Sequence, residues 1–160
     1  MTKTSERTTS IGLARYAKEF LEAALAVDDS VGMRQEYQRI PPIPVLYLVG
    51  HSIELALKAY LVHKGMVVSE LRSKKYGHDL MKCWEKSIEL GLGDIFTFTS
   101  DDTGIIRLLN TLYSKKELEY IVTGYKEFPV FGPLHKLAVN LVNTIGPSVG
   151  FNRKILCVVY

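Results

Sequence analysis

Four polar side chains recur at helical spacing within an otherwise apolar stretch, residues 44–62. They are Tyr47, His51, Glu54 and Lys58. On a helix of roughly 100° per residue they fall within an arc of about 60°, so one face carries an acid, an imidazole and a cation. Glu54 and Lys58 stand four residues apart in the order that favours an ion pair. The stripe predicts either a self-satisfied buried pair or a site in which Glu54 orients or charges a neighbouring histidine.

The segment from Lys58 to Lys86 is strongly basic. It contains seven basic and three acidic residues, a net charge of +4, whereas the whole chain of 160 residues carries only +3. Such a patch attracts phosphate groups, which makes Lys74 and Lys75 candidate contacts for RNA or a nucleotide. The alternative interpretation is a solvated loop and helix face.

The elements that must position these residues are helical. Apolar spacings of three and four predict helices over residues 10–26, 43–64, 78–90, 102–120 and 133–145. Gly65 is expected to cap the second helix, Asp101 and Asp102 to cap the fourth, and Gly146-Pro147 to stop the fifth. We therefore predict an all-α fold, an up-down bundle of four to five helices. One domain spans 1–160, with a core over about 10–145 and a short extended tail over 146–160.

Composition excludes several classes of protein. With 47% apolar residues, the chain can form a packed core, so general disorder is excluded. Cys83 and Cys157 belong to no CxxC motif, so neither a disulfide framework nor a structural zinc site is expected. Charges in the middle of residues 44–62 argue against a membrane span, and the polar N-terminus lacks a signal core. We expect a cytoplasmic protein with no membrane contact.

Motifs for other chemistries are missing from the sequence. GxxxxGK[ST], GxGxxG and GxSxG do not occur, so phosphate-loop, dinucleotide and hydrolase-elbow chemistry has no support. His51 and Glu54 stand in the reverse of the order used by di-iron bundles, without a second copy. We therefore expect no metal and no cofactor.

Two segments of the sequence resemble the HEPN superfamily of small helical bundles. They are GHSIELALKAYLVHKG (Gly50–Gly65), with Glu-x-x-x-Lys on a long apolar helix, and LRSKKYGHDL (Leu71–Leu80), with Gly-His-Asp-Leu before the next helix. Together with LLNTLYSKKELEYIVTGYKEFP (Leu108–Pro129), the similarity spans about Leu13 to Ile145. The resemblance implies an α-bundle that forms homodimers and binds RNA or nucleotides. It also implies a toxin–antitoxin or defence setting, with a cognate antitoxin or other protein as partner.

Catalytic members of that superfamily are metal-independent endoribonucleases with an Arg-x(4–6)-His motif. Here Arg72 and His78 match it with five intervening residues, so the resemblance implies that they are the catalytic pair. A guanidinium binds phosphate through two parallel hydrogen bonds, and an imidazole transfers protons near neutral pH. The alternative is that His78 and Asp79 only cap the third helix. The corresponding alternative function is a non-catalytic helical module for dimerisation or protein binding.

The last residues, Ile155 to Tyr160, form an uncharged run of high β-propensity. Such a run promotes aggregation when it is left exposed. We expect it to pack against the bundle or to pair with another chain.

Overall fold

The computed structural model of the protein describes residues 7–156. It contains six α-helices: α1 (Ser10–Ser30), α2 (Ile43–His63), α3 (Val68–Leu71), α4 (Leu80–Glu89), α5 (Ser100–Tyr113) and α6 (Phe131–Ser148). Short 3-10 turns at Gln35–Tyr37 and Leu92–Asp94 lie in the connections, and residues 7–156 contain no β-strand. The predicted all-α class is confirmed. The five predicted helices correspond to the five long ones, and α3 adds a single turn.

Helix α2 lies at the centre of the bundle because it is apolar on nearly every side. It contacts α1, α4, α5 and α6, and its contact with α1 is the most extensive. Twelve of its 21 residues are buried. The Ser52 hydroxyl, itself buried, donates to the Ala17 carbonyl at 2.6 Å and joins α2 to α1. The apolar residues of the five long helices meet in one core.

Helix α2 is also the one helix in residues 7–156 that is long and apolar enough to cross a membrane. That test uses length and composition alone, and 67% of the apolar window is buried inside the bundle. A buried helix of this kind is what the core of a water-soluble bundle contains.

Helix α1 is longer than predicted. The sequence placed its end near Ala26, at the Asp28-Asp29-Ser30 turn signal, but the helix continues to Ser30. The side chain of Val27 packs against the core, and the Val31 N–H closes the last turn on the Val27 carbonyl at 2.8 Å. Tertiary packing thus outweighs the local preference of these polar residues for a turn.

Helix α5 differs from the prediction at both ends. Thr99 is the N-cap, and it forms a reciprocal capping box with Asp102, so Asp102 lies in the first turn with Asp101 and neither is the cap residue. The helix ends at Tyr113, and no helix covers Glu117 to Tyr120. Lys116 adopts a left-handed backbone conformation, with φ of 60°, which a right-handed helix cannot contain.

Helix α6 continues through the predicted stop at Gly146-Pro147 and ends at Ser148. Pro147 lacks the N–H that would bond to the carbonyl of Asn143, but the last turn is still closed by the Val149 N–H, which bonds to the Ile145 carbonyl at 3.1 Å. The chain then reverses, and the Phe151 N–H bonds to the Gly146 carbonyl at 2.8 Å. A Cβ on Gly146 would lie 2.9 Å from the Phe151 carbonyl oxygen, so this close approach needs glycine.

The beginning of the C-terminal run packs against α6. The Asn143 amide accepts from the Ile155 N–H at 2.7 Å and donates to the Ile155 carbonyl at 3.0 Å. Ile155 is buried as expected, whereas Leu156 is exposed. The rest of the run, residues 157–160, lies outside the described residues.

Candidate functional site

Glu54 occupies the middle of α2 and is only 2% exposed. It is one of three polar or charged residues that are buried in residues 7–156, and the only one that carries a formal charge. An ionised carboxylate in such a place is costly unless donors surround it. The site is therefore best described from the groups that reach its two oxygens.

Three side chains donate to the Glu54 carboxylate. Lys58, one turn along α2, places Nζ 2.6 Å from Oε1, so the ion pair expected from the sequence is present. The Tyr113 hydroxyl of α5 donates to Oε2 through a short hydrogen bond. Nδ1 of His78, from the turn before α4, lies 3.1 Å from the same oxygen. Three separate elements thus meet at one carboxylate.

These contacts keep Glu54 ionised. Burial by itself raises the pKa of Glu54, because it removes water from the charged form. The contact with His51, the charge and hydrogen bond of Lys58 and the Tyr113 hydroxyl outweigh burial, and they hold the pKa at about 2 against an ordinary value of 4.5. Burial and the Glu54 charge in turn raise the pKa of Tyr113, so its hydroxyl keeps its proton.

The ionised carboxylate fixes the tautomers of two histidines. A carboxylate accepts only, so Nδ1 of His78 must carry the proton and Nε2 is left with its lone pair in the neutral ring. Because the Tyr113 hydroxyl gives its proton to Glu54, it accepts from Nδ1 of His51 at 3.1 Å. Nδ1 of His51 lies farther from Glu54, at 3.6 Å. We therefore assign the Nδ1–H tautomer to both rings.

Aromatic rings enclose the His51 side of the network. The Tyr47 and His51 rings are parallel, with centroids 6.2 Å apart, and Phe20 of α1 contacts His51 edge-on at 4.6 Å. Gly50 allows this arrangement, because a Cβ there would lie 2.7 Å from the Tyr113 ring. Tyr47 and His51 therefore support Tyr113 and lie apart from the His78 side of the carboxylate.

The turn that carries His78 is held on both sides of the ring. Lys58 donates a second hydrogen bond to the Gly77 carbonyl at 2.5 Å. On the other side, the Asp79 carboxylate is the N-cap of α4 and accepts from the Lys82 N–H at 3.0 Å. The helix-capping role that we gave as an alternative for His78 and Asp79 therefore applies to Asp79 alone. The His78 side chain instead bonds to Glu54, and 52% of its surface is exposed.

A cavity of about 220 Å³ opens beside this turn. Its polar lining includes Glu54, Lys58, Arg72 and His78, and its apolar wall includes half-buried aliphatic side chains of α1 and α2. Arg72 lies at the C-terminus of α3 and is exposed. Both residues of the Arg-x(4–6)-His motif thus line one cavity, although Gly77 lies in a turn and no continuous helix joins them. Within residues 7–156, no group hydrogen-bonds to Nε2 of His78.

Five of the nine candidate residues do not line the cavity: Tyr47, His51, Lys74, Lys75 and Asp79. Lys74 and Lys75 are exposed in the turn between α3 and α4, and Nζ of Lys75 lies over the Tyr76 ring at 5.3 Å from its centroid. Lys75 lines a separate surface depression with Lys82 and Lys86. Tyr47 and His51 contact the hydrogen-bond network of Glu54 without lining the cavity.

Tyr113 and Asn110 are the residues of the site that sequence reasoning missed. The apolar spacing on α5 is typical of core residues, and Tyr113 is indeed buried, but a buried tyrosine also needs a partner for its hydroxyl. That rule could have predicted the contact, because Glu54 is the one buried carboxylate in residues 7–156 and so the natural partner for the Tyr113 hydroxyl. Asn110 donates to Asp79 and accepts from the Leu80 N–H, and no local pattern indicates this contact.

The side chains at this site do not form a metal centre. In residues 7–156, no group of three or more His, Cys, Asp or Glu side chains is arranged to hold a metal ion. The contacts of Glu54 are hydrogen bonds from Lys58, Tyr113 and His78 instead. The arrangement can hold an anion at Arg72 and move a proton at His78.

No protein-family model matches this sequence, and no curated protein or solved structure matches it significantly.

Proposed function

We propose that this protein is a HEPN-like RNA-binding domain whose binding site is the cavity lined by Lys58, Arg72 and His78. The observation that carries this proposal is the shared cavity itself. It contains an exposed guanidinium and a half-exposed imidazole whose Nε2 receives no hydrogen bond from residues 7–156. The two groups suit a phosphodiester, because the guanidinium donates to phosphate oxygens and the Nε2 lone pair can accept a proton from a neighbouring hydroxyl.

The surrounding charge supports a polymeric ligand over a small anion. The segment from Lys58 to Lys86 carries a net charge of +4, and Lys74 and Lys75 are exposed in the turn that joins Arg72 to His78. Successive phosphates of RNA can contact such a surface together, and binding then weakens as salt increases. A single phosphate would use Arg72 alone.

We further propose that the protein cleaves RNA without a metal ion. The 2′-hydroxyl attacks the adjacent phosphorus, and Nε2 of His78 takes its proton. The P–O5′ bond breaks, and His78 returns that proton to the 5′ oxygen, leaving a 2′,3′-cyclic phosphate and a 5′-hydroxyl. Arg72 neutralises the charge that develops on the non-bridging oxygens. Glu54 holds Nδ1–H, so it keeps the Nε2 lone pair directed outwards.

The proposed biological form is a cytoplasmic homodimer in a toxin–antitoxin or defence system, with a cognate antitoxin as a protein partner. Pairing of two copies would add a second Arg72 and a second His78 to the same RNA. This part of the proposal rests on the resemblance to the HEPN superfamily.

The direct test is RNA binding by fluorescence anisotropy with a single-stranded RNA. Arg72→Ala should weaken binding about 10- to 100-fold, the loss of one or two charged hydrogen bonds, and should make the salt dependence shallower. The matched control is Arg107→Ala, because Arg107 is exposed on α5 and does not line the cavity. Equal losses in the two variants would refute the site.

Cleavage is tested separately in the presence of EDTA. We expect wild-type protein to produce 2′,3′-cyclic phosphate ends, and His78→Ala to abolish the cut while binding persists. Binding without any cleavage by wild-type protein would leave an RNA-binding domain and refute the nuclease.

A second candidate function, a non-catalytic protein-binding module, is favoured by one surface. The connection between α5 and α6 exposes large apolar side chains: Tyr120 is 67% exposed, Ile121 96% and Tyr125 91%. Exposed apolar clusters are typical of protein interfaces. Replacing the three residues with serine should abolish self-association in sedimentation equilibrium if this surface forms the dimer. Unaltered association would remove the support for this candidate.

A further inference from the structure

Asn110 makes two hydrogen bonds, and both go to the residues that immediately follow His78. Its Oδ1 accepts from the Leu80 N–H at 2.7 Å, and its Nδ2 donates to Oδ1 of Asp79 at 3.2 Å. Asn110 lies in the last turn of α5, so these bonds tie α5 to the first residues of α4. A side-chain amide suits this place because it can accept from the backbone and donate to a carboxylate at the same time.

The bond from the Leu80 N–H completes the cap of α4 with a group from another helix. Asp79 caps α4 by accepting from the Lys82 N–H, which leaves the N–H of Leu80, the first residue of the helix, without a partner inside it. Leu80 is fully buried, so this N–H needs a partner from elsewhere in the protein, and Asn110 supplies it. Together with the bond from Lys58 to the Gly77 carbonyl, it fixes the backbone on both sides of His78.

Few contacts hold the His78 ring. Half of its surface is exposed, its one hydrogen bond within residues 7–156 joins Nδ1 to Oε2 of Glu54, and the Tyr113 ring meets it edge-on with centroids 6.2 Å apart. A half-exposed side chain keeps one rotamer only when the backbone that carries it is fixed, since a small rotation of the turn would move Nδ1 out of hydrogen-bond range.

We infer that Asn110 is a positioning residue for His78, one that acts through the backbone of Asp79 and Leu80 to keep Nδ1 on Glu54 and Nε2 open to the cavity. The catalytic part of this inference rests on the proposed function. The part that concerns the orientation of the His78 imidazole does not depend on that function.

The chain offers a test by exchange of partners. Asn110→Asp keeps the acceptor for the Leu80 N–H but removes the donor, and it places a carboxylate against the carboxylate of Asp79. The double variant Asp79→Asn with Asn110→Asp keeps the bond to the Leu80 N–H and restores the bond between the two side chains with its polarity reversed, because the new amide at position 79 donates to the new carboxylate at position 110. Since Oδ1 of Asp79 accepts from both Asn110 and the Lys82 N–H, the new amide turns so that its nitrogen faces position 110 and its oxygen still caps α4. The matched control is Asn140→Asp, the same change at an exposed position on α6.

The first measurement is the nitrogen chemical shifts of the His78 imidazole in the folded protein, which report which nitrogen carries the proton. We expect a fixed Nδ1–H tautomer in the wild type and the control, a mixture in Asn110→Asp, and recovery in the double variant. A merely structural role would change the urea midpoint and leave the tautomer of the folded molecules unchanged, and that result would overturn the inference.

The second measurement is the kinetics of RNA cleavage. Asn110→Asp should lower kcat by about 10-fold with little change in KM, because the nucleophile and phosphate still bind while the proton acceptor is misplaced. The double variant should recover most of the loss. If wild-type protein does not cleave RNA, the proposed nuclease activity fails and the imidazole shifts alone decide the inference. If cleavage occurs and Asn110→Asp leaves both kcat and the shifts unchanged, the inference fails alone.

Discussion

Replacing Glu54 with glutamine should destabilise the protein by about 3 kcal/mol or somewhat more. One measure of this value comes from protonation, since a carboxyl whose pKa falls from 4.5 to about 2 on folding gains about 3 kcal/mol at neutral pH. A second comes from the ion pair, since removing one partner of a buried pair costs roughly 3–5 kcal/mol. The two values agree because both describe the same loss: the Lys58 ammonium and the two other donors, Tyr113 and His78, would face a neutral amide instead of a carboxylate.

The same argument fixes the pH dependence. The folded pKa of Glu54 lies below its unfolded value, so its contribution is complete above about pH 5 and is lost as the pH falls towards about 2. Urea unfolding of the wild type should therefore show this loss over that range. The Glu54→Gln variant should be less stable at pH 7 and should lack this part of the acid dependence.

The assay is a double-mutant cycle in urea, with Glu54→Gln and Lys58→Met made alone and together. Because their charged atoms lie 2.6 Å apart and are largely buried, we expect a coupling energy of about 1–3 kcal/mol. The control cycle uses Arg15 and Glu19, which have the same spacing on the exposed face of α1, and should show no measurable coupling. A coupling energy near zero for Glu54 and Lys58 would refute our account of the carboxylate.

Three further predictions concern other contacts. Tyr113→Phe removes a donor from Glu54 and the acceptor of Nδ1 of His51, so the free energy of unfolding in urea should fall by about 1–3 kcal/mol; a change within error would show that water replaces the hydroxyl. Burial raises the pKa of the Cys83 thiol to about 12, so a thiol reagent at pH 8 should modify it only in denaturant. Asn143→Ala should accelerate amide exchange at Ile155 by removing the acceptor of its N–H, whereas unchanged exchange would mean that burial alone protects it.

The helices could be predicted from the sequence, but several of their ends could not. Periodicity reports which residues face the core, and it located all five long helices. The ends depend on single contacts: α1 continues to Ser30, where Val27 packs on the core, and α5 stops at Tyr113, before Lys116 enters the left-handed region. Turn-forming residues indicate where a helix is weak, and tertiary contacts decide whether it stops.

The contacts of the candidate site became harder to predict as the distance along the sequence increased. Lys58 follows Glu54 by one turn of the same helix, so their pairing follows from helix geometry alone. The spacing does not identify His78 as the histidine that contacts Glu54, because 24 residues and a turn separate them. Tyr113 lies 59 residues from Glu54, and no local pattern reports a contact across that distance. Satisfying every buried polar group is the rule that would have connected them.

Stability alone does not explain why this bundle contains Glu54 and Lys58. A buried ion pair can usually be replaced by apolar residues of similar volume without loss of stability, and α2 is otherwise packed with such residues. The pair also makes hydrogen bonds outside its own helix. Lys58 donates to the Gly77 carbonyl, and Glu54 accepts from Tyr113 and from His78. An apolar pair would fill the same volume and leave the His78 turn without an anchor. The charges are therefore best understood as the means by which a rigid central helix holds one half-exposed imidazole at the edge of a cavity.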